Sequence, residues 1–306
     1  MLDSLTVDPD VTQAREIAAP RVDFTYSHPG QSPFRRNLIR AVERLSGQRR
    51  LQNLYLDWSQ GGKRADETVF AAALRLLNLS PRLSGQQHLD RLPATGGLLL
   101  VANHPFGIVD GLTMGHLGMR LRGNVAIMTN SLLCKVPEVE PHLLPVDFSG
   151  TPAARRLTGE TRRRAAQLLS GGQVVALFPG GGVATANSPL GKHAVDSAWH
   201  PFVGRLACIP GVTTVPVHFS GQNSRLFQAA SHFSYPLRVA LIFHETRRLM
   251  GHPVDVAIGQ PINATELQAM DKGLIADFLR RKTMALSGAV GVNPDEVFIW
   301  PARVKW

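Results

Sequence analysis

Cysteine is scarce in this sequence: Cys134 and Cys208 are the only two in 306 residues. Neither belongs to a CxxC pair or another ligand-spaced cluster, which argues against a disulfide framework and against a zinc site. Both are expected as small buried hydrophobes in a reducing compartment. No run reaches 18 apolar residues, so no membrane-spanning helix is expected. The opening stretch, MLDSLTVDPD, is acidic and has no apolar signal core. Aromatic residues make up only 7% and do not cluster as a base-stacking motif would require. No GxSxG is present, which argues against a serine hydrolase of the nucleophile-elbow type. Internal repeats and low-complexity tracts are also missing.

Positive charge, by contrast, is in excess: 33 Lys and Arg against 23 Asp and Glu, a formal net charge of +10. That balance suits an anionic partner, whether nucleic acid, an acidic membrane surface or an acidic protein. Hydrophobic residues make up 44%, enough to bury a core in a chain of this length. Residues 1–32 are rich in Pro, Asp and Ser without periodicity and read as an extended arm. Phe34, Leu38, Ala41, Val42 and Leu45 then recur at helical spacing, with Arg35, Arg36, Arg40 and Arg44 elsewhere around the wheel. Gly47 interrupts. Leu51, Leu54, Tyr55 and Trp58 resume the helical pattern, and ETVFAAALRLLNL continues it. From about residue 83 short apolar runs at 96–103, 124–130, 173–179 and 212–219 read as buried strands. Helical runs lie between them, such as 151–172 with its terminal Gly-Gly. A last long helix is expected over about 264–287, with Asn263 and Glu266 as its capping box. This rhythm predicts an α/β fold: a mixed, mostly parallel sheet covered by helices, with an amino-terminal helical layer. The division expected is an arm and basic membrane-facing layer over 1–82 and a single core unit over 83–306.

The segment VANHPFGIVDGL (101–112) is almost wholly apolar, yet it holds His104 and Asp110. Pro105 and Gly107 between them argue against a continuous helix. Strand, loop and helix is the better reading, with both residues at the carboxyl end of a strand, where open α/β sheets place ligands. The carboxylate would then hold the imidazole in one tautomer and leave the other nitrogen as a base. The alternative is a helix N-cap aspartate beside an unrelated strand-end histidine. A second stretch, ALFPGGGVATA (176–186), again runs from strand to loop. Gly180, Gly181 and Gly182 let backbone approach a ligand, and their N–H groups suit an anion or oxyanion; a packing turn is the alternative. The spacing fits neither GxGxxG nor the P-loop.

These stretches together resemble the glycerolipid (lysophospholipid) acyltransferase superfamily. NHPFGIVDG resembles its His-x4-Asp motif, LFPGGG its FPEGT motif, and TTVPVHF its later VPV strand. FSGQNSRLFQ with IGQPI is similar to a bacterial subgroup labelled hemolysin-like or ornithine-lipid-type. The resemblance covers about residues 84–265. It implies that His104 is the catalytic base and Asp110 its partner, that Gly180, Gly181 and Gly182 form the acceptor-binding or oxyanion loop, and that Pro216 is structural. Two positions depart from the pattern. Five residues, not four, separate His104 from Asp110, so the loop is expected to bulge by one. Gly180 stands where the motif glutamate is, and no other carboxylate lies in that loop, which favours an acceptor other than lysophosphatidate, such as an amino-acid-based lipid.

The reaction so implied is O-acyl transfer from an acyl thioester, on coenzyme A or acyl carrier protein, to a hydroxyl of a lyso-lipid. An alcohol attacking a thioester needs a base and oxyanion donors, and no metal or redox cofactor. Asn223, Ser224 and Arg225 are offered as acceptor contacts. Arg155, Arg156, Arg162, Arg163 and Arg164 are offered as contacts to a phosphate or to acyl carrier protein, with a solvated face as the alternative. The basic helices at 34–58 suit peripheral attachment to an anionic membrane, on the cytoplasmic face of the inner membrane, or else are ordinarily packed. A catalytically silent lipid-binding protein and a nucleic-acid-binding protein are the competing readings, the latter disfavoured by the absence of any recognition motif.

Overall fold

The run Leu98–Ala102 has no polar side chain, and the structure gives it the most protected place available. All five residues are fully buried as the central strand of the sheet. A strand covered on both faces reads as continuous apolar sequence because neither face meets water. The structure, a computed structural model, describes residues 25–27, 31–130, 136–147, 150–288, 292–301 and 304.

Three helices lead: α1 (Pro33–Leu45), α2 (Gln48–Asp57) and α3 (Val69–Leu76). The alternating part follows with β1 (Ser80–Ser84), β2 (Leu98–Ala102), α4 (Ile108–Arg122), β3 (Ala126–Asn130), β4 (Leu143–Val146), α5 (Pro152–Ser170) and β5 (Val174–Leu177). Next are α6 (Phe202–Ala207), β6 (Thr213–Phe219), α7 (Arg225–Phe233), α8 (Tyr235–Ala240) and α9 (Ile242–Leu249). The last elements are β7 (Pro253–Ile258), β8 (Ile262–Asn263), α10 (Ala264–Gln268) and α11 (Ile275–Met284). The eight strands form one sheet in the order β1-β7-β6-β2-β5-β3-β4, with β8 paired separately to β6. All pairings are parallel except those of β6 with β7 and β8. The α/β class, the mostly parallel mixed sheet and the amino-terminal helices therefore stand as expected. The edge strand β1 spans residue 82, so the sheet begins within the helical layer's expected range.

Some local expectations change. The helix expected over 264–287 is broken into α10 and α11. Asp271 accepts the backbone N–H of Gly273 there at 2.7 Å, closing a turn between the two helices. Asn263 precedes α10 but makes no side-chain cap bond. Strands β1, β4, β7 and β8 were not expected. β1 and β4 are short and contain proline, and β7 alternates buried with exposed residues rather than running apolar. Cys208 is half-buried and free rather than fully buried; Cys134 lies outside the described residues, as does most of the arm expected over 1–32. Within that arm Thr25–Ser27 are buried. The Thr25 hydroxyl and the Tyr26 N–H both donate to the buried Glu43 carboxylate of α1.

That anchor turns α1 in an informative direction. Its buried positions are Ile39 and Glu43. The apolar stripe of Phe34, Leu38, Ala41 and Leu45 faces solvent, with Phe34 77% and Leu45 81% exposed.

Two features align the ends of β2, β5 and β6. Parallel register sets Val101 opposite both Leu177 and Pro216, so the chain leaves β2 and β5 at the same level. Beyond β2, the Asn103 amide continues the ladder: its Nδ2 donates to Phe219 O at 2.9 Å and its Oδ1 accepts from Phe219 N at 2.7 Å. Replacing Asn103 by Ala strands both Phe219 backbone groups in a dry interior. It is expected to cost about 2–4 kcal/mol, read as a lowered urea midpoint without a change in slope.

Candidate active site

His104 follows Asn103 directly and is therefore carried at the carboxyl end of the central strand. Gly107 then turns the chain with φ 81° and ψ −111°, a conformation that side chains resist, and α4 begins at Ile108. Asp110 is the third residue of that helix, so its carboxylate points back at the helix start. Its Oδ2 accepts the backbone N–H groups of Phe106 (2.8 Å) and Gly107 (3.0 Å) and lies 3.0 Å from His104 Nδ1. The helix N-terminus favours this negative charge. Asp110 is fully buried; burial pushes its pKa up, while the imidazole and the two N–H groups pull against that. Asp110 is not the N-cap, which is Gly107; as the third helical residue it accepts the N-cap N–H with the same oxygen that faces His104.

Three further contacts hold His104. The Phe178 ring stacks on the imidazole, centroids 4.1 Å apart and 24° between planes. The His104 backbone O accepts from Ala184 N at 2.6 Å, and the His104 backbone N donates to Asp196 Oδ1 at 3.2 Å. Nδ1 faces the carboxylate, and no described residue bonds Nε2. His104 and the loop of Gly180, Gly181 and Gly182 line one cavity of about 770 Å³. Its walls are mostly apolar, including Ile39, Phe70, Leu112, Ile127, Phe202 and Phe243. Within the loop, Gly181 N donates to Phe178 O at 3.0 Å, which leaves the N–H groups of Gly180 and Gly182 without an acceptor among the described residues.

Asp196 was not anticipated. It is buried, and its Oδ2 accepts the Trp199 indole N–H at 2.8 Å. A Cβ on Gly180 would stand 3.1 Å from that same Oδ2. The missing glutamate therefore has a physical counterpart: a carboxylate from residue 196 fills the space beside position 180 that a side chain there would need. No spacing rule links HAVDSAWH to the glycine loop, and the proximity exists only in the folded chain. A buried cation was also missed. Arg238 donates to the Thr185 hydroxyl and to Val183 O, and sits over the Phe227 and Trp300 rings at 5.0 and 4.7 Å. It lines the cavity and forms no ion pair among the described residues; burial brings its pKa down to about 10.

The acceptor contacts expected at 223–225 do not line the cavity. Asn223 is buried, Ser224 caps α7 and bonds the Glu245 carboxylate, and Arg225 is exposed. Pro216 is a buried residue inside β6.

Residues 68–292 match a family model described as Acyltransferase. The chain belongs to that acyltransferase family. Two relatives are both named lyso-glycine lipid O-acyltransferase. One, from Phocaeicola vulgatus, is 25% identical over 62% of this chain and 67% of its own length. The other, from Bacteroides thetaiotaomicron, is 26% identical over 57% of this chain and 60% of its own length. Among the described residues of the acyltransferase, no helix is long and apolar enough to cross a membrane.

Asp196 yields a sign-definite prediction. Burial raises its pKa from 3.8 to about 6, so the folded state holds a proton that the unfolded chain releases between those values. Its contribution to stability is therefore full below about pH 4 and is lost as pH rises through 6, by at most about 3 kcal/mol. Urea unfolding of wild type and Asp196→Asn across pH 4–7 is expected to show the variant gaining relative stability as pH rises.

Proposed function

We infer that this acyltransferase moves a fatty acyl group from a thioester, on coenzyme A or acyl carrier protein, to a hydroxyl of a lyso-lipid. The observation that carries this reading is His104, backed by Asp110 and lining one mostly apolar cavity together with the glycine loop. Asp110 keeps the proton on Nδ1, which leaves the Nε2 lone pair as the base. As Nε2 takes the acceptor's hydroxyl proton, the oxygen bonds to the thioester carbonyl carbon. The oxyanion that forms is met by the free N–H groups of Gly180 and Gly182. The intermediate then collapses: the C–S bond breaks, and the proton on Nε2 passes to the departing thiolate. The products are an ester and a free thiol, and no covalent enzyme intermediate forms.

For the acceptor, we favour an amino-acid-based lyso-lipid. The names of the two relatives support it, and so does Arg238, a buried cation in the cavity wall that suits a carboxylate headgroup. A lysophosphatidate acceptor is less favoured, since Gly180 replaces the motif glutamate.

The attachment surface is α1. Its exposed stripe of Phe34, Leu38 and Leu45 has Arg35 and Arg44 on its flanks, while Ile39 on the opposite side lines the cavity. A helix lying in an anionic bilayer surface needs this arrangement, apolar face inward and arginines reaching the headgroups. It would let a lyso-lipid enter without crossing water, and it fits peripheral binding at a cytoplasmic membrane face.

Thiol release from acyl-coenzyme A and acyl carrier protein thioesters, tested against lyso-glycine lipid, lyso-ornithine lipid and lysophosphatidate, checks the reaction. His104→Ala is expected to lower acceptor-dependent release by about a hundred- to ten-thousand-fold. Acceptor-independent release, or vesicle binding with no turnover, would instead make this a lipid-binding protein. Separately, the triple change Phe34→Ser, Leu38→Ser, Leu45→Ser is expected to weaken sedimentation with anionic vesicles at least about tenfold. Turnover of a detergent-dispersed acceptor should be preserved.

A further inference from the structure

Arg162 of α5 and His200, just before α6, line the cavity, and Arg205 of α6 stands next to them. Both guanidinium groups pack over one ring: Arg162 lies 5.1 Å and Arg205 5.6 Å from the centroid of Phe202. Neither arginine forms an ion pair among the described residues. Arg162 is half-buried, so its charge is not simply dissolved in water. Burial and the Arg205 charge lower its pKa, and burial with both arginines lowers that of His200.

Hydrogen-bond polarity at His200 sharpens the point. The Phe202 backbone N–H donates to His200 Nδ1 at 3.1 Å. A ring that accepts at Nδ1 carries its proton on Nε2. Nε2 lies 3.4 Å from Arg162 Nη2, which is also a donor. Two donors therefore face each other at the rim of the cavity, with a second guanidinium close by and no acceptor between them. An oxyanion placed there would satisfy both donors and lie in the field of the Arg205 charge.

We propose that Arg162, His200 and Arg205 bind the phosphate that joins the acyl donor's pantetheine arm to its carrier. The inference rests on the acyl-transfer reading above. Three observations select the donor over the acceptor. The cavity already contains Arg238 as a separate cation for an acceptor headgroup. The backbone N–H of Pro179's loop partner is nearby: His200 N donates to Pro179 O at 3.0 Å, which ties the cluster to the glycine loop where the thioester carbonyl must sit. Finally, α5 continues the positive charge outward. Arg155 lies two turns before Arg162 on the same face, with Arg156 and Arg163 beside that face, all three exposed. A carrier extending from the cavity, whether a nucleotide or an acidic protein, would lie along this ridge.

The test compares thioesters of one acyl chain on pantetheine, on 4′-phosphopantetheine, on coenzyme A and on acyl carrier protein, at fixed acceptor. Wild type is expected to use the phosphopantetheine thioester about ten- to a hundred-fold better than the pantetheine one, in kcat/KM. Arg162→Ala and Arg205→Ala should each shrink that preference by about tenfold or more, while turnover of the pantetheine thioester and the KM for acceptor hold. Because Arg205 is exposed, its variant decides the matter if Arg162→Ala does not fold. An undiminished phosphate preference in Arg205→Ala would overturn the proposal, and so would a rise in acceptor KM alone. Arg155→Ala identifies the source: a loss confined to coenzyme A thioesters marks the nucleotide carrier, and one confined to the protein thioesters marks acyl carrier protein. If wild type transfers no acyl group at all, the acyl-transfer reading fails separately. Calorimetric binding of coenzyme A to wild type and Arg205→Ala would then still support the cluster if the variant is weaker, and refute it if the two are equal.

Discussion

Asp110 Oδ2 receives two backbone N–H groups and faces an imidazole nitrogen within 3.0 Å, all at the first turn of α4. A fully buried carboxylate is costly to form, and only such a set of donors makes it tolerable. The same oxygen therefore shapes the turn after the central strand, starts the helix, and orients His104. Remove it and the loop loses the partner for two N–H groups as well as the ring's fixed tautomer. Fold and candidate site meet in that one atom, which explains why so apolar a segment holds an aspartate.

Everything else in the site is brought to that oxygen by the sheet. β2 and β5 end level because they are paired in register, so the histidine leaving one and the phenylalanine and glycines leaving the other share a cavity edge. Asp196 and Ala184 then clamp the His104 backbone from both sides. The helices supply the walls. α1 closes the cavity with Ile39 and turns its apolar stripe outward, α8 brings Arg238, and α5 and α6 bring two arginines to the rim. Arg238 and the α5–α6 arginines come from separate elements.

The strand and helix rhythm was legible wherever burial is complete on both faces. Residues 96–103, 173–179 and 212–219 became β2, β5 and β6 with their ends shifted by only a residue or two. Legibility failed at the edges of the sheet. β1 and β4 are short, contain proline and are partly solvated, so their composition resembles that of loops. The helix expected over 264–287 failed for another reason: its apolar spacing continues through a turn that Asp271 and Gly273 close locally. For α1 the periodicity was right and the direction was not readable. An apolar stripe says that one face differs from the other, not which faces the protein; the Glu43 anchor to Thr25 and Tyr26 settles that here.

By itself the sequence determined which groups are candidates for the site and which strand ends bear them. His104 and Asp110 lie within one short loop, and the glycines follow one strand, so covalent proximity limits where they can go. Only the tertiary structure decided that Asp196 occupies the space beside Gly180, that Arg162 and Arg205 share the Phe202 ring, and that residues 223–225 stay away from the cavity. Gly180 and Asp196 are 16 positions apart and Arg162 and Arg205 are 43 apart, and folding brings each pair together. Local spacing carries no information about them, because the burial and hydrogen bonding that create them exist only when the chain is folded.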